Sequence, residues 1–203
     1  MAPVAPQDQR PRNFRYIETE GSSAYRALWE AAIESGADWV QLITWNDYSE
    51  NSQMAPSTRT QTGFYDLTAY YVTWFKTGAP PLIERDALYY FHRPHAMSAT
   101  PAKQETLFTP MEGPTAIDEI ELVALLRASG TLEIEVGGEI TRVDVGAGMQ
   151  SIRAPLREGT PVFRLRRGES TVVELHSATP ISNAIDYQDP LFHAGAAPTC
   201  PVP

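Results

Sequence analysis

Apolar positions follow two different periods along the chain, and the change of period divides it. Over 24–35, Tyr25, Leu28, Trp29, Ala32 and Ile33 share one face at helical spacing. Ser22 or Ser23 stands where an N-cap belongs, and Gly36 where the helix should stop. Residues 63–76 repeat the pattern with Leu67, Tyr70, Tyr71, Trp74 and Phe75, an aromatic stripe that reads as core, closed by Gly78. Between the two helices lies Trp39-Val-Gln-Leu-Ile-Thr44, a short run rich in β-branched and aromatic residues, which predicts a buried strand. Helix, short loop and strand in this order is the repeating unit of a parallel α/β barrel. Residues 1–12 are proline-rich without periodicity and read as a loop; Phe14 to Ile17 reads as the end of a strand.

Beyond Pro80-Pro81 the helical period gives way to short strands. Leu88 to His92 is the first, and the proline-containing stretch 96–116 reads as a connection. Apolar and alternating runs then recur at Ile117–Leu126, Thr131–Val136, Glu139–Val145, Gln150–Ala154, Val162–Arg166 and Thr171–His176. Turns are predicted at Ser129-Gly130, Gly137-Gly138 and Arg167-Gly168. Short strands at this spacing predict an antiparallel β-sandwich, with Ala184 to Tyr187 as a last edge strand.

The expected fold is therefore α/β followed by all-β: the C-terminal βα units of an incomplete (β/α)8 barrel, then an antiparallel β-sandwich. The corresponding division is a barrel portion over 1–96, a linker over 97–116 and a sandwich over 117–203. A closed barrel needs eight strands and about 250 residues, and the first part of this chain supplies one clear strand. The expectation is that an N-terminal barrel portion is missing.

Composition narrows the partners. The chain has 203 residues, 42% of them hydrophobic, and a net charge of −9. Length and apolar content suffice for a real core. The negative balance disfavours nucleic acid and anionic membrane surfaces, and a neutral polymer is compatible with it. No apolar run approaches the ~20 residues of a membrane span. The start, Met1-Ala-Pro-Val-Ala-Pro6, has neither the cationic nor the apolar segment of a signal peptide. The single cysteine, Cys200, allows no internal disulfide and reads as a free thiol in the tail.

Chemistry concentrates directly after the Trp39 strand, in Trp45-Asn-Asp-Tyr-Ser-Glu50. Asp47 and Glu50 are two carboxyl groups close in sequence, a residue pairing that acid–base chemistry can use. An offset of three puts them on opposite faces of an extended strand but side by side in a helical turn. For both to face one substrate the chain must leave the strand near Asp47, and Asn46, Tyr48, Ser49 and Asn51 tolerate such a turn. Trp45 reads as barrel core or as a stacking platform for a ligand, and Asn46 as a ligand contact or a loop anchor. Read without further context, two acids after a strand are more often a solvated loop or a helix cap. Glu18 and Glu20 read as helix-start charges or, less readily, as substrate contacts. His92 and His95 would point to opposite faces of a strand and so do not share a metal; no metal and no cofactor is implied. Ser49 lacks the flanking glycines of a serine-hydrolase elbow.

The stretch Thr44-Trp-Asn-Asp-Tyr-Ser-Glu50 resembles the Thr-Trp-Asn-Asp-Tyr-Gly-Glu signature of glycoside hydrolase family 71, the α-1,3-glucanases or mutanases. Glu20-Gly-Ser-Ser-Ala-Tyr-Arg-Ala-Leu-Trp29, Tyr70-Tyr-Val-Thr-Trp-Phe-Lys-Thr-Gly78 and Tyr89-Tyr-Phe-His-Arg-Pro-His95 resemble its flanking elements, and Val123-Ala-Leu-Leu126 and Val136-Gly-Gly138 its C-terminal β-domain. The matches are collinear from about Asn13 to about Gly195. The resemblance implies an inverting endo-α-1,3-glucanase acting on an α-glucan in an extracellular setting, with Asp47 as general base and Glu50 as general acid. Under that reading Trp45, Asn46 and Tyr48 contact substrate, and Trp45 and Tyr48 desolvate the acid. Two departures stand beside the motif: Ser49 replaces the family's usual Gly, and Asn51-Ser52-Gln53 its usual Ser-His-Tyr. These bear on the linkage cleaved more than on the reaction class. The rival readings are a related barrel glycosidase acting on another α-glycan, such as α-mannan, and a non-catalytic carbohydrate-binding or accessory β-sandwich.

Overall fold

The computed structural model describes residues 1–111 and 115–198; Cys200 and residues 112–114 of the expected linker lie outside them. In chain order the elements are β1 (Ala2–Val4), β2 (Gln9–Arg10), a 3-10 turn (Pro11–Asn13), β3 (Arg15–Tyr16), α1 (Ser23–Glu34), β4 (Val40–Leu42), α2 (Gly63–Thr77), β5 (Ala87–His92), β6 (Thr109–Pro110), β7 (Glu119–Leu126), β8 (Gly130–Val136), β9 (Glu139–Val145), β10 (Gly148–Pro155), β11 (Val162–Arg167), β12 (Ser170–His176) and β13 (His193–Ala197). The two helices fall where the apolar periodicity places them. Gly78 ends α2 in the left-handed conformation, with its N–H on the Trp74 carbonyl at 2.8 Å.

Most of the regular elements are strands, and most of these pair in antiparallel sheets. Two four-stranded antiparallel sheets run in the orders β10-β7-β5-β13 and β12-β11-β8-β9. Leu88, Tyr90, Ile120 and Leu122 of the first sheet share a core with Leu132, Ile134, Phe163 and Leu165 of the second. Tyr90 stacks flat on Phe163 with ring centroids 5.0 Å apart. The residues that alternate with these, Tyr89, Phe91, Val123 and Ala194, point the other way, into a second core with Tyr25, Trp29, Phe64, Leu67 and Tyr71 of the helices. The first sheet is thus filled on both faces, and every residue of β5 is buried.

Side chains lock α1 onto that sheet. The carboxylate of Glu121, 1% exposed, accepts from the N–H and Oγ of Ser22 at 2.7 and 2.8 Å, from Arg26 at 2.6 Å and from the Ser151 hydroxyl at 2.9 Å. Ser22 occupies the N-cap position, but its hydroxyl serves Glu121 and not the helix. A Cβ at Gly21, whose φ is +73°, would stand 2.5 Å from the Glu121 Oε2.

Several expectations are corrected. Residues 1–12 are not a loop: β1 pairs in parallel with β4, and β2 pairs with β3. Proline is tolerated there because the pair leaves edges open, where a missing N–H breaks no ladder. The Trp39–Thr44 strand is not buried. It shortens to Val40–Leu42, and Trp39 and Leu42 are 73% and 38% exposed. Its hydrogen-bonded neighbour among the described residues is β1 alone, so no sheet covers it. Residues 184–187 form no strand; the sheet is completed instead by β13. No closed barrel is present among the described residues, and no helix there is long and apolar enough to cross a membrane.

Candidate active site

The segment after β4 folds back on itself. The Thr44 N–H donates to Ser52 O at 2.8 Å, Met54 N to Thr44 O at 2.9 Å and Ala55 N to Trp45 O at 2.9 Å. Within this closed loop Asp47 makes the turn. Its N–H donates to Thr44 Oγ1 at 2.9 Å, and its Oδ1 accepts from Ser49 N at 3.1 Å, Ser49 Oγ at 2.7 Å and Glu50 N at 3.1 Å. A carboxylate that gathers the N–H groups two and three residues on is the usual way an aspartate reverses a chain. The strand ends at Leu42 and the chain reverses at Asp47, so the two candidate acids project from one turn.

The same bonds set the charge of Asp47. The Ser49 hydroxyl, the Glu50 N–H and the Ser49 N–H, helped by the charge of Arg10, hold its carboxyl below the ordinary range against a small opposing effect of burial. Asp47 is thereby kept as an acceptor. Glu50 lies beside Arg10, which ion-pairs with it through Nη1. Arg10 is itself held in a fork by Asp8, Nε to Oδ1 at 2.8 Å and Nη2 to Oδ2 at 2.7 Å. The N-terminal segment also anchors the turn through its backbone, with Gln9 N on Glu50 O at 2.8 Å, and Asn51 Nδ2 on Gln9 Oε1 at 3.2 Å. Arg10, Arg12, Asn13, Ser49 and Glu50 line an open cleft of about 450 Å³.

The aromatic residues do not enclose the pair. Trp45 is 59% exposed with its ring edge-on to Tyr65 at 6.1 Å, and Tyr48 is 53% exposed with its hydroxyl 3.4 Å from Pro56 O. Both rings thus stand largely in solvent on a loop that follows a strand paired with β1 alone among the described residues. Asn46 is exposed, and its carbonyl accepts from Tyr48 N at 3.0 Å.

Other candidates have structural duties. Glu18, 4% exposed, pairs with the equally buried Arg93 at 2.6 Å and accepts the Glu20 N–H at 2.8 Å; it reaches neither the first turn of α1 nor the cleft. His92 bonds Ser177 Oγ at 2.7 Å, and His95 Nε2 accepts the Asp189 N–H at 2.7 Å. Arg10, Arg59 and Asp189 escape the sequence reading because no motif marks the stretches that hold them. The sequence alone leaves His193 without a partner, and this is corrected: it meets Asp189 and Thr179.

A family model described as glycosyl hydrolase family 71 matches residues 1–189. The chain belongs to glycosyl hydrolase family 71. Among curated relatives it is 24% identical over 189 residues to a mutanase of Penicillium rubens, covering 85% of this chain and 42% of that protein. It is 27% identical over 188 residues to the glucan endo-1,3-alpha-glucosidase agn1 of Schizosaccharomyces pombe, covering 85% and 44%. The ascus wall endo-1,3-alpha-glucanase of the same yeast is 23% identical over 175 residues, covering 72% of this chain and 40% of that one. This family 71 chain thus spans well under half the length of these relatives. No solved structure matches it significantly.

Proposed function

We propose that this chain is the C-terminal portion of a glycoside hydrolase that cleaves an α-1,3-glucan with inversion, Asp47 acting as general base and Glu50 as general acid. The observation that carries the reading is that the family match spans one turn that holds both carboxyls, with Glu50 lining an open cleft and Asp47 three residues before it in the same turn. In such a reaction the acid protonates the departing glycosidic oxygen while the base takes a proton from the water that attacks the anomeric carbon. Asp47, held ionised by Ser49 and Glu50, suits the base. For Glu50 to carry a proton its pair with Arg10 must open, and the two bonds from Arg10 to Asp8 give the guanidinium a place to stay. Trp45, Asn46 and Tyr48, exposed on the same loop, are free to meet the glucan.

The β1–β4 pair, packed on the helical core through Val4 and Val40 but otherwise open, supports the rest of the reading. Parallel strands are almost always covered on both faces, and here Trp39 and Leu42 stand in solvent. We take the pair as the last strands of a (β/α)8 barrel whose other strands belong to a missing N-terminal portion. The division into a barrel portion over 1–96, a linker over 97–116 and a sandwich over 117–203 stays part of this proposal, with β5 passing from the first segment into the sandwich sheet.

The test is release of reducing sugar from insoluble α-1,3-glucan by the full-length protein. Asp47→Asn and Glu50→Gln should each lower the rate by about a hundredfold or more. A residue whose replacement leaves the rate intact has no part in the chemistry. Activity on a different α-glycan alone would keep the pair and move the substrate, and glycan binding without hydrolysis would favour an accessory module.

A further inference from the structure

A second polar cluster lies beside the same turn, assembled from segments far apart in sequence. Arg59, on the loop before α2, ion-pairs with Asp189 and places Nη1 3.0 Å from His193 Nε2. His193, the first residue of β13, also lies 3.1 Å from the Asp189 carboxylate, and its Nδ1 is 2.9 Å from Thr179 Oγ1. The backbone ties the segments as well, Ala194 N donating to Arg59 O at 3.0 Å. Burial on its own would raise the Asp189 carboxyl, but the His193 hydrogen bond and the Arg59 charge outweigh it and hold it down at about 2. One guanidinium and one fixed carboxylate cancel, so the cluster presents directed polar groups without net charge.

Arg59, His193 and Thr179 form one side of a hollow of about 270 Å³, and Tyr48, Asn51 and Gln53 line the other. Gln53 is 2% exposed; its Nε2 reaches Ser57 Oγ at 3.4 Å, while its Oε1 has no hydrogen-bond partner among the described residues. A buried amide oxygen left without a donor is costly, on the order of 1–3 kcal/mol, and a small shift of the side chain would let a ligand hydroxyl in the hollow supply that donor. Tyr48 offers a half-exposed ring face for a pyranose to stack on. Amide and hydroxyl groups, one open aromatic ring and no net charge fit a neutral polyol better than an anion. The volume falls just under the ~300–1,000 Å³ usual for whole ligands, which suits one sugar unit of a chain that runs on. Tyr48 and Asn51 interleave with Asp47 and Glu50 along a single turn, so a sugar here would adjoin the candidate pair.

We propose that the hollow between Tyr48, Asn51 and Gln53 on one side and Arg59, Thr179 and His193 on the other is a glucose-binding subsite, in which Asp189 and His193 hold Arg59 as a positioned donor. This rests on the glycosidase reading above. Its residues bind and position substrate; none takes part in proton transfer.

The test uses the full-length protein and short soluble α-1,3-linked gluco-oligosaccharides. Arg59→Met and His193→Gln should each raise KM about tenfold, with kcat within about threefold and the melting temperature held. In an Asp47→Asn background the oligosaccharide Kd should rise by the same factor. A role confined to holding the loop in place would instead lower melting temperature and kcat together, and that result overturns the subsite. Tyr48→Ala, at a half-exposed position, supplies the same comparison should either of the other variants misfold. A parent silent on α-1,3-glucan defeats the glycosidase reading itself. A parent that is active, with KM and Kd unmoved in all three variants, defeats the subsite alone.

Discussion

Two strands of this chain, β4 and β5, are both dense in apolar residues, and they meet opposite fates. Ala87-Leu-Tyr-Tyr-Phe-His92 lies between β7 and β13, with Leu88 and Tyr90 facing one core and Tyr89 and Phe91 the other. Val40-Gln-Leu42 is bonded to β1, and its flanking Trp39 stands 73% exposed. Local pattern places each strand, but burial is decided by what other segments bring to its faces. β5 is covered by helices and a second sheet from within the chain. Among the described residues β4 is covered only where Val40 packs on the helical core, and it is from β4 that the chain runs into the candidate catalytic turn. A partly covered strand therefore leads to the candidate chemistry, as in a barrel, where the strands' C-terminal ends open on the site.

The contrast is sharpest at Phe91, which is fully buried and packs on Phe64 at 5.0 Å between centroids. Phe91→Ala removes a ring from a filled interface and should cost about 3–5 kcal/mol. Urea unfolding of the variant measures it. A loss below about 1 kcal/mol would mean that β5 is not held between two cores.

His92 tests the same strand through pH. Burial depresses its folded pKa from 6.5 to about 4. The unfolded chain takes up a proton below about 6.5 that the native chain refuses until about 4. Stability from this residue is therefore full above that window, falls as pH drops through it, and is level below it. The ceiling is about 3–4 kcal/mol, since each tenfold change in proton affinity is worth about 1.4 kcal/mol. Asp189, depressed from 3.8 to about 2, acts in a lower and separate window. Unfolding curves between pH 7.5 and 4.5 should shift in the parent and flatten in His92→Gln. An equal slope in both would place the proton elsewhere.

These strands also show what the sequence made legible. α1, α2 and the strands β5 and β7 to β12 were readable because long periodic or alternating runs carry their own signal. β13 was not, because His-Ala-Gly-Ala-Ala lacks β-branched and aromatic residues. Its smallness answers to neighbours: a Cβ on Gly195 would come within 2.5 Å of the Tyr90 ring, and the Ala194 methyl lies against Gly63. β1 was masked by prolines that an open edge accepts. The pair Asp47 and Glu50 was legible because it lies in one short segment. Arg10 meets Glu50 across 40 residues and Arg59 meets Asp189 across 130, and no local pattern announces such encounters.

The smallest expected effect bears hardest on the comparison. Leu42, 38% exposed, belongs to neither core, so Leu42→Ala in this chain should cost about 1 kcal/mol or less. In the full-length protein the barrel proposal puts Leu42 under further strands. The same substitution should then cost about 2–5 kcal/mol, as for a leucine in a core. Measuring it in both contexts turns the difference between the two strands into a number. Equal, small losses in both would leave β4 an exposed strand in the whole enzyme and remove the argument for a barrel around it. A large loss in the longer protein would mean that the difference between β4 and β5 lies in which part of the polypeptide supplies the cover.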